Sequence, residues 1–168
     1  MVAPLSIYSP QDDDFEELAH IIVHQMVCLE LVHSDPETLG QHLDENDAEA
    51  MVDLVRLTEP GPFEIETVKF GNYFGVYEAG QLMAMVGQRM GFPGWVEISA
   101  VCSHPAAQGR GYASRLVTRV AQAIIAAGDQ PFLHVGEGGA SKKTAILVYE
   151  KTGFRHHQKM TIQVLQRR

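Results

Sequence analysis

The stretch Gln108-Gly109-Arg110-Gly111-Tyr112-Ala113 separates an apolar run from the most regular helical pattern in the chain. Ahead of it, Trp95 to Ser103 has the make-up of a strand, and Pro93-Gly94 turns the chain into that run. Behind it, Ala113, Leu116, Val117, Val120, Ile124 and Ala127 share one face at helical spacing, and Gly128 supplies a left-handed stop. A strand–turn–helix of this kind points several backbone N–H groups at one spot, where the helix dipole adds about half a positive charge. Gly109 and Gly111 let an anion approach with no Cβ in its way. Arg110, Arg115 and Arg119 add local positive charge to a chain whose formal net charge is −8. These features imply a phosphate or pyrophosphate site. The competing reading is a glycine-bearing loop without a ligand.

A dinucleotide fingerprint fits poorly. It needs Gly-x-Gly-x-x-Gly directly at the end of a strand in a parallel unit. Here Ser114 takes the last glycine position, and His104 to Gln108 intervene between strand and glycines. The upstream pattern is antiparallel: Phe74 to Glu78 and Leu82 to Met90 read as strands joined by Ala79-Gly80, with Trp95 to Ser103 as the third.

Further out, Asn46 to Leu57 reads as a helix, with Ala48, Met51, Val52 and Val55 on one face and Asn46 as its cap. Pro60-Gly61-Pro62 stops it. Ile21 to Val32 reads best as a strand, although Phe15, Leu18 and Ile22 also keep a helical spacing. Residues 1–20, with the acidic run Asp12-Asp13-Asp14, give no placement. Downstream, Phe132 to Val135 is a short strand, Ser141 caps a helix running to Thr152, Gly153 ends it, and Phe154 and Met160 to Leu165 are closing strands. The fold class is therefore α/β (α+β), with a mixed, mostly antiparallel central sheet and flanking helices.

Composition narrows the function classes. A chain of 168 residues makes one domain, here 1–168, without needing metal or disulfide. The acidic balance argues against a general nucleic-acid or anionic-membrane surface. Cys28 and Cys102 sit in apolar runs and read as buried reduced thiols, and no metal-ligand spacing occurs. No apolar stretch approaches the ~18 residues of a membrane span, and no signal segment is visible. The chain reads as soluble and cytoplasmic.

Two strings carry a resemblance. The first is Glu97 to Pro105 followed by Gln108 to Ala113; the second is Ala145-Ile146-Leu147-Val148-Tyr149-Glu150 followed by Gly153-Phe154. Together they resemble the GNAT superfamily of acyl-CoA-dependent N-acetyltransferases, whose signature Gln/Arg-x-x-Gly-x-Gly/Ala is matched by Gln108, Gly111 and Ala113. The resemblance is clearest over residues 21–165. The runs Pro60-Gly61-Pro62-Phe63 and Pro131 to Val135 are similar to the glycine N-acyltransferase-like subgroup. Lys142 stands where the family usually has an Asn, which puts that Asn's contact in doubt.

The resemblance implies an acyl donor, acetyl-CoA or another acyl-CoA, an amine acceptor, and no metal. It implies that the main chain of Val101, Cys102 and Ser103 pairs with the pantetheine arm. It also implies that the pyrophosphate lies on Gln108, Gly109, Arg110, Gly111, Tyr112, Ala113 and Ser114, with the acyl carbonyl where the strands of Val101 and His134 part. Glu97 aligns with a strand carboxylate that serves as general base, Tyr149 with a tyrosine that protonates the departing thiolate, and His134 is a second candidate base. On the strand itself, Val96, Ile98, Ala100 and Cys102 form an apolar face opposite Glu97 and Ser99, and a carboxylate there needs a partner or a cavity. The bland alternatives are a salt-bridged Glu97 and a core Tyr149. A non-catalytic acyl-CoA-binding module is the rival to an enzyme. Dimers are common in the family, so a homodimer is admissible.

Overall fold

The β-branched run near the N-terminal end resolves as a strand rather than a helix. In the computed structural model, which describes residues 15–32, 37–138 and 142–168, β1 spans Phe15–Cys28. It starts ahead of Ile21 because its first half finds a partner in the C-terminal strand β7 (Phe154–Arg167), which the sequence pattern had divided in two. Residues 1–14, and Ser141 as a helix cap, lie outside the described residues.

The remaining strands are β2 (Gln41–Leu43), β3 (Tyr73–Glu78), β4 (Gln81–Phe92), β5 (Trp95–Ser103) and β6 (Gln130–Gly136). They form one seven-stranded sheet in the order β2-β3-β4-β5-β6-β1-β7. Every neighbouring pair is antiparallel except β5–β6, which is parallel. The mixed, mostly antiparallel sheet expected from the sequence is therefore present. Its order was not foreseen, because the first strand lies between the last two.

Among the described residues, three helices flank the sheet: α1 (Ala48–Thr58), α2 (Tyr112–Ala126) and α3 (Lys142–Thr152). A short 3-10 turn, Glu45–Asp47, leads into α1, and its cap is Asp44 rather than Asn46. The Asp44 carboxylate accepts from Asn46 N at 2.8 Å, and Asp47 answers by accepting from Asp44 N at 3.0 Å. This reciprocal pair satisfies donors that a lone Asn46 would leave open. The buried face of α1 is Ala48, Met51, Leu54 and Val55, with Val52 only half-buried. Of the stripe expected on α2, Leu116, Val117, Val120 and Ile124 are buried, Ala113 is half-buried and Ala127, past the last turn, is exposed, while Thr118 and Ala121 join the buried face.

The sheet carries a core on each face. Ile98, Val86, Met26 and Leu133 pack with Leu116, Val117 and Val120 of α2 and Tyr149 of α3. On the other face, Tyr73, Met85 and Cys102 pack with Met51, Leu54 and Val55 of α1. Truncating a fully buried leucine such as Leu116 to Ala would cost about 2–5 kcal/mol.

β5 does not keep the strict alternation its sequence suggests. Ala100 sits at φ +52°, and the pairing of β4 with β5 slips beside it, between Gly87↔Ser99 and Met85↔Cys102. One extra residue reverses the faces. Val96, Ile98 and then Val101 pack toward α2, while Ala100 and Cys102 pack toward α1. The predicted apolar face of Val96, Ile98, Ala100 and Cys102 is therefore divided between the two cores.

Candidate active site

β5 and β6 run side by side only from Trp95↔Gln130 to Ile98↔Leu133. Beyond that point β5 stays with β4 as far as Ala84↔Ser103, while β6 stays with β1 as far as Val23↔Gly136. The sheet thus divides along the parallel β5–β6 seam, leaving the β6-facing edge of Ser99 to Ser103 without a ladder partner on β6. Val101 and His134 lie on the two sides of this opening, as the sequence resemblance implied. Unpaired strand edges present N–H and C=O groups that an extended ligand arm can take up.

The glycine turn follows the free edge. Gly109 has φ +78° and Gly111 φ +79°, a region that side-chain-bearing residues avoid. A Cβ at Gly109 would meet nothing within 4 Å, and one at Gly111 only the Ser114 hydroxyl at 3.9 Å, so the space above the turn is open. The first backbone bond into α2 runs from Arg115 N to Gly111 O at 3.2 Å. The N–H groups of Gly111, Tyr112, Ala113 and Ser114 therefore precede the first intrahelical bond and are directed outward. The donor set and the room above it suit a phosphate.

The arginines do not serve the turn as free charges. Arg110 forks onto Glu78, with both bonds 2.7 Å long, and the Tyr112 hydroxyl donates to the same carboxylate. Arg115 forks onto Glu37 at 2.9 Å. Arg119 donates to the carbonyls of Thr38, Leu39 and Gly40 and lies over the Phe74 ring. The positive character of the turn comes from its backbone, with the arginine side chains holding neighbouring segments against α2.

On the α1 face, a directed chain of hydrogen bonds crosses the sheet. Gln158 Nε2 on β7 donates to Gln25 Oε1 on β1 at 3.0 Å, and Gln25 Nε2 lies 3.4 Å from His134 Nε2. His134 Nδ1 lies 2.8 Å from Glu97 Oε1, and Arg89 on β4 forks onto Glu97 at 2.7 and 2.9 Å. A carboxylate only accepts, so His134 donates to Glu97 through Nδ1, and its Nε2 faces the Gln25 amide. Glu97 is 1% exposed. Burial pushes its carboxyl upward, but hydrogen bonds from His134 and Arg89, together with their charges, outweigh it and hold the group below the usual carboxylate range.

Tyr149 stands on the other face, in the core beside α2, with its ring 6.2 Å from Phe154. It is 7% exposed. Burial raises its hydroxyl far above the ordinary phenol value, and the nearby Cys102 adds to the rise. The thiols of Cys28 and Cys102 are free and buried, pushed up to about 11 and about 12 by desolvation. Among the described residues there is no cluster of His, Cys, Asp and Glu able to hold a metal, and no helix long and apolar enough to cross a membrane.

Glu97, His134, the Val101–Ser103 edge and the glycine turn thus line one seam, and Tyr149 packs beneath it on the opposite face. Sequence reasoning missed Arg89 and Gln25. The available signal was an arginine and a glutamine inside otherwise apolar strands, but pairing them with Glu97 and His134 requires the strand order. Lys142, at the position usually held by Asn, lies with Nζ 3.0 Å from His24 Nε2.

Comparison with known proteins agrees with this fold. The FR47-like protein family model matches residues 73–162, more than half of the chain. A structure described as a GNAT-family acetyltransferase from Novosphingobium aromaticivorans aligns at 35% identity with a TM-score of 0.80, over 93% of this chain and 69% of its own length. A GNAT-family acetyltransferase from Colwellia psychrerythraea aligns at 12% identity with a TM-score of 0.66, over 90% of this chain and 57% of that one. The ribosomal-protein-S18-alanine N-acetyltransferase of Escherichia coli aligns at 16% identity with a TM-score of 0.58, over 73% and 91%. At the two lower identities the likeness is one of fold. No curated protein matches the chain.

Proposed function

The chain belongs to the FR47-like family, among the GNAT acetyltransferases, and from that premise we propose that it transfers an acetyl or other acyl group from acyl-CoA to a primary amine by direct attack. The observation that carries the proposal is the parting of β5 from β6 immediately ahead of an open, N–H-lined glycine turn. A donor with an extended arm and a pyrophosphate fits that pair of features. The main chain of Val101, Cys102 and Ser103 takes the arm, and Gln108, Gly109, Arg110, Gly111, Tyr112, Ala113 and Ser114 take the phosphates.

The chemistry follows from the two faces of the seam. The amine nitrogen bonds to the acyl carbon and the C–S bond breaks. The nitrogen must shed a proton, and the group assigned to take it is His134, through the Nε2 that Glu97 does not engage and in exchange for its 3.4 Å contact with Gln25. Glu97 belongs to this step as a positioning residue, because its oxygens are engaged by Arg89 and His134. Tyr149 supplies the proton to the departing thiolate, since its buried hydroxyl stays protonated at neutral pH. The narrower likeness to glycine N-acyltransferases rests on the runs 60–63 and 131–135. Both have packing roles here: Phe63 stacks edge-on against Tyr73, and Pro131 to Val135 is the body of β6. A cytoplasmic setting suits two free, buried thiols.

Thiol release from acetyl-CoA, measured across a panel of amines with mass spectrometry of the products, tests the reaction. Gly111→Asp places a side chain and a negative charge above the turn. Calorimetry on the folded variant should show acetyl-CoA affinity reduced at least about 10-fold, whereas unchanged affinity would remove the turn from the site.

A further inference from the structure

The β4–β5 hairpin ends in Met90-Gly91-Phe92-Pro93-Gly94-Trp95. Its turn needs the glycine at φ +81°, Gly94. Nothing in the turn needs aromatic rings beside it, because exposed loop tips favour small and polar residues. Yet Phe92 is 46% and Met90 48% exposed. Phe92 and Trp95 lie in offset stacking at 6.4 Å, and both close on the buried Phe132, at 5.5 and 6.4 Å. Phe132 in turn contacts the His134 ring at 5.5 Å. Trp95 and Glu97 share one face of β5, as Phe132 and His134 share one face of β6. An apolar shelf therefore begins at the partly exposed Phe92 and leads, ring by ring, to the His134 imidazole.

We propose that this shelf is the acceptor subsite and that the acceptor is a primary amine carrying an aromatic or bulky apolar group. The inference rests on the transfer reading above and adds the class of acceptor. Two ring-to-ring steps of 5.5 Å separate Phe92 from His134, so the apolar group stands a few carbons from the amine. The charges that border the shelf, Arg89 and Glu97, are committed to each other in a bidentate pair. An acceptor carboxylate would have to compete with Glu97 for Arg89 and break a buried ion pair, which is costly. The shelf therefore selects for an apolar tail and against an acidic one.

The test compares phenylpropylamine with propylamine at saturating acetyl-CoA, reading kcat and KM separately. The intact protein should favour phenylpropylamine in kcat/KM by at least about 10-fold, mostly through KM. Phe92→Ala, whose half-exposed position spares the fold, should reduce that ratio by about the same factor, and Phe92→Leu should restore part of it. Melting curves establish that both variants are folded. Equal kcat/KM for the two amines in the intact protein overturns the shelf while leaving amine transfer standing, as does a ratio that Phe92→Ala leaves unaltered. A protein that releases thiol with no amine in the panel, yet binds acetyl-CoA, overturns the transferase reading itself and this inference with it.

Discussion

The two faces of the sheet at the β5–β6 seam give ionisable groups opposite surroundings. Toward α2 and α3 the seam is lined by packed hydrocarbon, and Tyr149 is raised by burial and by Cys102. Toward α1 the seam holds an ordered chain from Gln158 through Gln25, His134 and Glu97 to Arg89, in which burial of the carboxyl is outweighed by its donors. One face keeps the Tyr149 hydroxyl protonated, and the other keeps a charge on Glu97, as the proposed acid and the proposed positioning residue require. Environments that push titratable groups in opposite directions across one cleft are how a single site assigns acid and base. A sheet is suited to this, because alternate residues of a strand face different media.

The largest expected effect comes from breaking the charged face. Arg89→Ala leaves Glu97 buried with two of its three hydrogen bonds missing, and should destabilise the fold by about 3–5 kcal/mol in urea titration. The double variant Arg89→Met with Glu97→Leu removes the charge along with its partner. It should recover most of that stability while remaining slow in transfer, which separates the pair's role in folding from its role in orienting His134. Full recovery of turnover in the double variant would show that the pair is structural only.

The apolar face is probed by Tyr149→Phe. The ring and its contact with Phe154 remain, so the melting temperature should change little. Acetyl-CoA binding should stay near normal while kcat falls at least about 100-fold, equivalent to about 2.7 kcal/mol of barrier. A folded variant with nearly full kcat would make Tyr149 a core residue and the two faces unequal in function.

The smallest effect is a difference in acid sensitivity. The folded-state value of Glu97 is depressed, so its stabilising contribution is complete above the unfolded value of about 4.3 and is lost as pH falls through the lower folded value. Glu37 is held at about 2, chiefly by the Arg115 hydrogen bond, and the sign is the same. Its pair lies at the surface, where water and salt screen it. Denaturant titrations at pH 6 and pH 3 should therefore show a smaller acid loss in the Arg89→Met, Glu97→Leu variant than in the unaltered protein. Glu37→Gln should leave that loss nearly as it was.

How much of this could be read from the chain differs by scale. The glycine turn, the α2 stripe, the Ala79-Gly80 hairpin and the stop at Gly128 are local, each decided by residues a few positions apart, and each lies where its pattern placed it. The seam residues Val101, His134, Glu97 and Tyr149 were named because the glycine turn and the Tyr149–Phe154 run resemble a known family, and not because spacing alone picks them out. The bulge at Ala100 is not legible in the chain, since a single residue in the left-handed region leaves no compositional mark when the residue is alanine.

What the sequence determined by itself was therefore the local set: strand or helix, turn positions, and a backbone cradle suited to phosphate. Period and turn chemistry act over one or two turns of chain, so they are present before any tertiary contact forms. What only the tertiary structure decided was which side chains meet. Gln25 reaches His134 across 109 residues of chain, and Arg89 reaches Glu97 only because the hairpin register slips beside them. The insertion of β1 between β6 and β7 follows from where unpaired backbone edges and exposed apolar faces could be satisfied together. That balance belongs to the whole sheet and to no segment of it, and it sets an apolar face and a charged face on the two sides of one seam.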